Sequence, residues 1–232
     1  VTAAGLVTFT LAVRESGLQV SAGRDLTEEA TNSLLRHRRG LEEVIRRTPA
    51  FRDSLDPVEP IPAAPKVVRL MIEAGRAAGV GPMAAVAGAI ARCVGEDLLA
   101  HSATVVVENG GDIWMQSFEE RVVGIYAGAG TGAFSFGLRI PAGSGPIGIC
   151  TSSGVIGPSF SAGAARGATV IAGDAALADA AATGLGNRVR RADDVDGALR
   201  WAAGVPGLRG AAVVIGETFG VWGSVDLVPL SP

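Results

Sequence analysis

The stretch 174–187 reads D-A-A-L-A-D-A-A-A-T-G-L-G-N, and how it is read decides the fold. Alanine dominates, so the local preference is helical. Asp174 can start the helix, because its carboxylate can accept from the free N–H groups of the first turn. Gly184 or Gly186 can end it. Asp179 and Thr183 stand four apart, so both leave one face, one turn above the other. A carboxylate beside a hydroxyl is a pair of hard oxygen donors, the kind that hold Mg²⁺ on a phosphate substrate. Alone, the pair is more simply read as solvated polar surface. The company the helix keeps decides between the two.

Immediately before it, Ala168 to Ala172 is an apolar strand that feeds straight into the helix. Upstream lies the turn C-T-S-S-G at 150–154, small and rich in hydroxyl and N–H donors. It closes a strand from Ile147 to Thr151. Further back, Thr104 to Val107, Ile113 to Gln116, Val122 to Tyr126 and Phe134 to Ile140 are short strands joined by tight turns. The first of these turns is E-N-G-G-D. Downstream, Asp193 to Ala203 is a short helix, and Ala211 to Ile215, Phe219 to Trp222 and Val225 to Val228 are strands. Sequential short strands with tight turns argue antiparallel pairing and an α+β fold.

The N-terminal part predicts a hairpin, Leu6 to Val13 with Leu18 to Ser21, then a helix from Asp25 to about Arg47 with a capping box at Asp25 and Glu28. Its run Arg36, His37, Arg38, Arg39 reads as a solvated helix face. Five prolines in 49–65 predict an extended connector without helix. The organisation expected is therefore a hairpin and helix over 1–48, a connector over 49–65 and an α+β core over 66–232, together one compact domain. In that core Lys66 to Ala78 is an amphipathic helix. Pro82 opens another, Met83 to about Ala100, almost wholly small along one face.

With 48% hydrophobic and 19% charged residues, the chain of 232 is globular rather than disordered. A net charge of −3 argues against a nucleic-acid partner. No stretch approaches the roughly 18 apolar residues of a membrane span. The start shows no basic segment followed by an apolar run, so a cytoplasmic protein is expected. Cys93 and Cys150 lack metal or redox spacing and read as free thiols in a reducing compartment. Two scattered histidines, His37 and His101, do not make a zinc site.

Three small-residue turns share one character: V-G-P-M with Gly81, Pro82 and Met83; E-N-G-G-D-I with Asn109, Gly110, Gly111 and Asp112; and C-T-S-S-G with Thr151, Ser152, Ser153 and Gly154. Each offers backbone N–H groups with little bulk, which suits close approach to phosphate and ribose oxygens. Each is also an ordinary tight turn. Together with Asp179 and Thr183 they point to a nucleotide-like ligand.

The succession E-N-G-G-D-I, T-S-S-G and A-L-A-D-A-A-A-T resembles the ApbE-like superfamily over roughly residues 65 to 228. The segments V-G-P-M-A-A-V-A-G-A-I-A and A-D-A-A-A-T-G-L-G-N-R are most similar to an uncharacterised bacterial and archaeal branch of it. Known members move FMN from FAD onto a threonine of a partner protein, or hydrolyse FAD, with Mg²⁺. The resemblance implies a T-fold-like architecture of antiparallel sheets covered by helices. It also implies that Asp179 and Thr183 hold the metal, that Asn109 to Asp112 lie beside the flavin nucleotide, and that Thr151 to Gly154 lie near its phosphates.

Two departures bear on activity. The transferases carry a lysine in K-G-Y-A-V-D, where this chain has A-G-A-I-A. They also carry H-x-x-D-P-x-T-G, where this chain has G-P-S-F-S-A-G. The expectation is a protein that binds FAD, FMN or a related diphosphate with Mg²⁺, and transfers or hydrolyses slowly. The alternatives are a flavin-binding module without catalysis, or a homodimer built on the flat Ala/Gly helix at 83–95 and exposed strand edges.

Overall fold

A computed structural model describes residues 1, 5–125, 136–153 and 163–229. The chain forms Val7–Val13 (β1), Ser16–Ala22 (β2), Thr27–Arg47 (α1), Pro49–Asp53 (α2), Lys66–Ala78 (α3) and Val86–Leu98 (α4). Then follow Val105–Asn109 (β3), Asp112–Gln116 (β4), Arg121–Ile125 (β5), Phe136–Ile140 (β6), Ile147–Ser152 (β7) and Gly167–Ala172 (β8). Ala175–Asn187 (α5), Val195–Gly204 (α6), Leu208–Ile215 (β9), Thr218–Gly223 (β10) and Leu227–Pro229 (β11) complete it.

The α+β reading is borne out, and every described strand pair is antiparallel. One sheet of eight strands runs β1-β2-β3-β4-β7-β8-β9-β10, and a second of three runs β11-β6-β5. The layers follow from the alternation along the strands. Val105, Val107, Trp114, Cys150, Val170 and Val213 face the helices, in one core with Leu34, Met71, Ile90 and Leu185. Val106, Ile113, Met115, Ile149 and Ile171 face the small sheet, packing on Val123, Leu138 and Ile140.

The helix read first is the centre of the molecule. Its residues Ala175, Ala176, Ala178, Ala180, Ala181 and Ala182 are buried, and it packs on α3, α4, β7 and β8. Asp174 caps it, accepting from the Ala176 N–H at 2.9 Å. Methyl side chains let α5 approach its neighbours closely. A Cβ on Gly148 of β7 would overlap the Ala175 backbone, and one on Gly88 of α4 would overlap the Ala175 carbonyl.

The structure corrects five expectations. The proline-rich segment does hold a short helix, α2, because Pro49 sits in its first turn, where a missing N–H costs nothing. Asp25 makes no reciprocal box with Glu28; its carboxylate instead takes the Thr27 N–H at 2.9 Å and hydroxyl at 2.6 Å. The helix expected from Met83 starts as a 3-10 turn, Pro82–Ala85, before α4. Of the small residues of α4 expected at a dimer surface, Gly88, Ala89 and Ala91 are buried within the chain. Nor is the basic run of α1 simply solvated. Arg36 Nη2 and His37 Nε2 reach Asp97 Oδ2 at 2.5 and 2.8 Å and tie α1 to α4.

The hairpin at the N-terminus is continuous with the rest, because β2 pairs with β3 from Leu18↔Asn109 to Ala22↔Val105. Both cysteines are free and buried. Among the described residues no single helix is long and apolar enough to cross a membrane.

Candidate functional site

The site is built at one end of the helix-facing side of the large sheet. Strands β3 and β4 meet there through Gly110 and Gly111, both at positive φ, 64° and 100°. That pair of left-handed residues makes the tight two-residue hairpin turn that N-G-G-D favours. The turn places Asn109 opposite Asp112. Both side chains are buried.

Asp112 is followed by Trp114 on the helix-facing side, and Asn109 donates from Nδ2 to the Ala87 carbonyl of α4 at 3.1 Å. The same peptide of α4 meets Asp179 at its other end, where Asp179 Oδ2 accepts from the Gly88 N–H at 2.9 Å. Ala87 and Gly88 lie in the first turn of α4, where N–H groups have no partner within the helix. Asp179 therefore supplies the acceptor that α4 lacks from its own flank, since the α4 N-terminus has no side-chain cap. That capping role is a complete structural reason for an acid at this position.

A second acid makes it more than a cap. The Asp112 charge disfavours that of Asp179, and both disfavour a thiolate at Cys150. Burial, then Asp112, hold the Asp179 carboxyl well above the usual carboxylate range, against the N–H groups of Gly88 and Ala87. Burial pushes Asp112 up to about 7, with Glu108 adding to it. The Cys150 thiol and Thr151 N–H pull the other way. Neither acid has a cationic partner among the described residues.

Cys150 and Ser152 approach from β7. Cys150 lies within hydrogen-bonding reach of the Asp112 carboxyl and, at 3.4 Å, of the Ala175 carbonyl. Ser152 follows it by the two-residue period of the strand and pairs with Ala168, which is part of the helix-side core. Its Oγ is buried with no hydrogen-bond partner among the described residues. Thr183 lies one turn beyond Asp179, partly exposed. Thr151 points otherwise, its Oγ1 bonded to Thr169 Oγ1 at 2.9 Å.

The structure thus brings Asn109, Asp112, Ser152 and Asp179 to one end of the sheet, with Thr183 one helical turn beyond Asp179. Gly81 and Pro82 are buried, and the face of Gly81 is filled by the backbone of Ser54 and Leu55. They lead into α4 and are not brought into contact with the acids, and Met83 is partly exposed. Ser153 ends the described part of its turn, and Gly154 lies outside the described residues, as does most of G-P-S-F-S-A-G. Sequence reasoning missed Cys150, Glu108 and the Ala87–Gly88 peptide. Cys150 could have been found from its strand period with Ser152.

The donor set can be tested against a cation. Among the described residues no three His, Cys, Asp or Glu side chains converge as metal ligands. Two carboxylates and a hydroxyl do suit Mg²⁺, which binds through one or two carboxylates and keeps its other positions for water and phosphate oxygens. Two facing acids without a protein cation, and a buried hydroxyl without a partner, fit an ion and its phosphate ligand.

Solved structures share this fold. A flavinyl transferase ApbE of Pseudomonas stutzeri superposes with a TM-score of 0.55 at 12% identity, covering 94% of each chain. The ApbE protein of Thermotoga maritima does so with a TM-score of 0.55 at 13% identity, over 94% of this chain and 97% of its own. Identities that low establish shared architecture only. Relatives are closer in sequence. A UPF0280 protein of Methanosarcina acetivorans is 40% identical over 219 residues, 93% of this chain and 86% of its own length. Another, of Methanothrix thermoacetophila, is 41% identical over 211 residues, 89% of this chain and 87% of its own. A family model described as AbpE bacteria matches residues 2–205. By that match and by those relatives, the chain belongs to the AbpE bacteria family.

Proposed function

We propose that this protein binds FAD or a related flavin dinucleotide with Mg²⁺ and acts at the diphosphate. The observation that carries the reading is the Asp112–Asp179 pair, two acids that interact without a protein cation among the described residues. Asp179 and Thr183 would hold the ion, with Asp112 beside it. Bound there, Mg²⁺ supplies charge neutralisation and polarises phosphoryl oxygens. The chain's own groups do the rest. Asn109, anchored to Ala87, and the Gly110–Gly111 turn shape the approach of the nucleotide. The unpartnered Ser152 hydroxyl donates to a phosphate oxygen. The likeness to flavin transferases and the family membership support a flavin as the nucleotide.

The test is AMP and FMN release from FAD with Mg²⁺, for the wild type and Asp179→Asn. Release by the wild type, lost in the variant and on chelation, is the expected result. Equal background rates in both would end the reading.

A second reading is binding without cleavage. It is favoured by the first turn of α4, Val86-Ala87-Gly88-Ala89, which presents no cation to a leaving phosphate. A Mg²⁺-dependent rise of the melting temperature with FAD, and no product, distinguishes it.

A further inference from the structure

On the other face of the large sheet, at the opposite end of β7, lies a cleft of about 490 Å³. It opens where the β6–β7 connection, the start of β9 and the β10–β11 connection meet. Its apolar floor is Ile140, Ile147, Ile171 and Val225. Two arginines stand in its wall. Arg209 donates from Nη1 to the Ser144 carbonyl at 3.2 Å and lies against Gly173, where an added Cβ would come within 3.0 Å of Nη2. Its guanidinium is thus held in place, yet among the described residues it has no carboxylate partner. Arg139 is 46% exposed, and its nearest carboxylate oxygens, on Asp226 and Glu120, are 3.8 and 4.0 Å away, outside hydrogen-bond reach.

We infer that this cleft is a second ligand site, for a small monoanion with an apolar body, such as an aryl or branched alkyl carboxylate or sulfonate. The volume is that of a small-molecule pocket, and its makeup is the usual one: an apolar surface with a few fixed polar groups. The isoleucine floor takes the hydrocarbon. Arg209 and Arg139 take the acid group, for which planar guanidinium donors are suited. The charge of the lining residues sets the valence. Among the lining residues two arginines against Asp226 leave one net positive charge, and Asp226, with Glu120 just outside and 4.0 Å from Arg139, disfavours a dianion such as phosphate. The site shares no residue with the Asp112–Asp179 end, so it does not depend on the flavin reading.

The probe is 8-anilinonaphthalene-1-sulfonate, compared with N-phenyl-1-naphthylamine, the same ring system without the anion. The folded protein is expected to bind one sulfonate dye saturably, with enhanced fluorescence. Arg209→Gln and Arg139→Gln should each weaken it about tenfold, the loss of a charge-assisted hydrogen bond. Neither should change the weaker binding of the uncharged amine. Arg139 makes only long contacts, so Arg139→Gln keeps the fold, and an unchanged melting temperature checks this. Phe219→Ala, in the separate apolar cavity beside Phe136, should leave sulfonate binding intact. The inference is overturned by absence of saturable binding, by unchanged affinity in both arginine variants, by loss on Phe219→Ala, or by displacement of the dye by FAD with Mg²⁺.

Discussion

Asp179 does two things at once, and substitutions separate them. Its Oδ2 caps the first turn of α4 through Gly88, while its charge faces Asp112. Asparagine keeps an acceptor for the cap and loses the charge. Asp179→Ala is therefore expected to cost about 1 kcal/mol in urea denaturation, with Asp179→Asn close to wild type, while both lose the Mg²⁺ dependence of flavin binding. Similar stability losses in the two variants would remove the capping role. Asp112 sets a pH dependence whose sign is fixed. Its folded value, about 7, lies above the ordinary 3.8, so the folded state holds a proton that the unfolded chain has released. The stability it contributes is full below pH 4 and lost as pH rises through 7. In chelator, Asp112→Asn should match the wild type near pH 4 and exceed it at pH 8. Binding of Mg²⁺ to the wild type at pH 6 should release a proton, read by calorimetry in buffers of different ionisation enthalpy. The thiols make a further residue-scale case. Burial pushes Cys93 up to about 12, and burial with the nearby acids also raises Cys150. Neither should react with Ellman's reagent until the chain unfolds.

Between elements, the decisive contacts are made by what the helices lack. An exposed Gly→Ala change in a helix gains about 1 kcal/mol of propensity. In α4 the overlap wins. A Cβ on Gly88 would strike the Ala175 carbonyl, and one on Gly95 would strike the Trp114 ring. Overpacking of this kind costs about 1–3 kcal/mol, so Gly88→Ala and Gly95→Ala should both lower the midpoint of urea denaturation. Gly88→Ala should also impair flavin binding, because it shifts the peptide that Asp179 and Asn109 hold. These crossings explain what could be read from the sequence and what could not. The strands from Val105 to Ser152 were legible because apolar runs and glycine turns are local signals. The helix of Asp174–Asn187 was legible because alanine propensity and an Asp cap are local too. That Asp179 would cap a helix 91 residues upstream was not, since only tertiary packing brings them together. For the same reason Cys150 was read only as a free thiol, without its place beside Asp112.

On the scale of the whole molecule, one core runs from Leu18 through Met71 and Cys150 to Val213. The N-terminal hairpin shares that core and the large sheet. Unfolding should therefore be one cooperative step, with tryptophan fluorescence and far-ultraviolet circular dichroism giving superimposable urea curves. Two separated transitions would mean that the hairpin and α1 fold apart. At the middle of this core lies a helix whose inward side chains are almost all methyl groups. A methyl has no alternative rotamers to choose between. The carboxylate it carries is thus placed by main-chain distances, and mutation of its neighbours offers few ways to nudge it by repacking. Natural variation in ligand preference among relatives should accordingly be sought in the loops that reach the acid pair, while the helix itself stays a fixed datum.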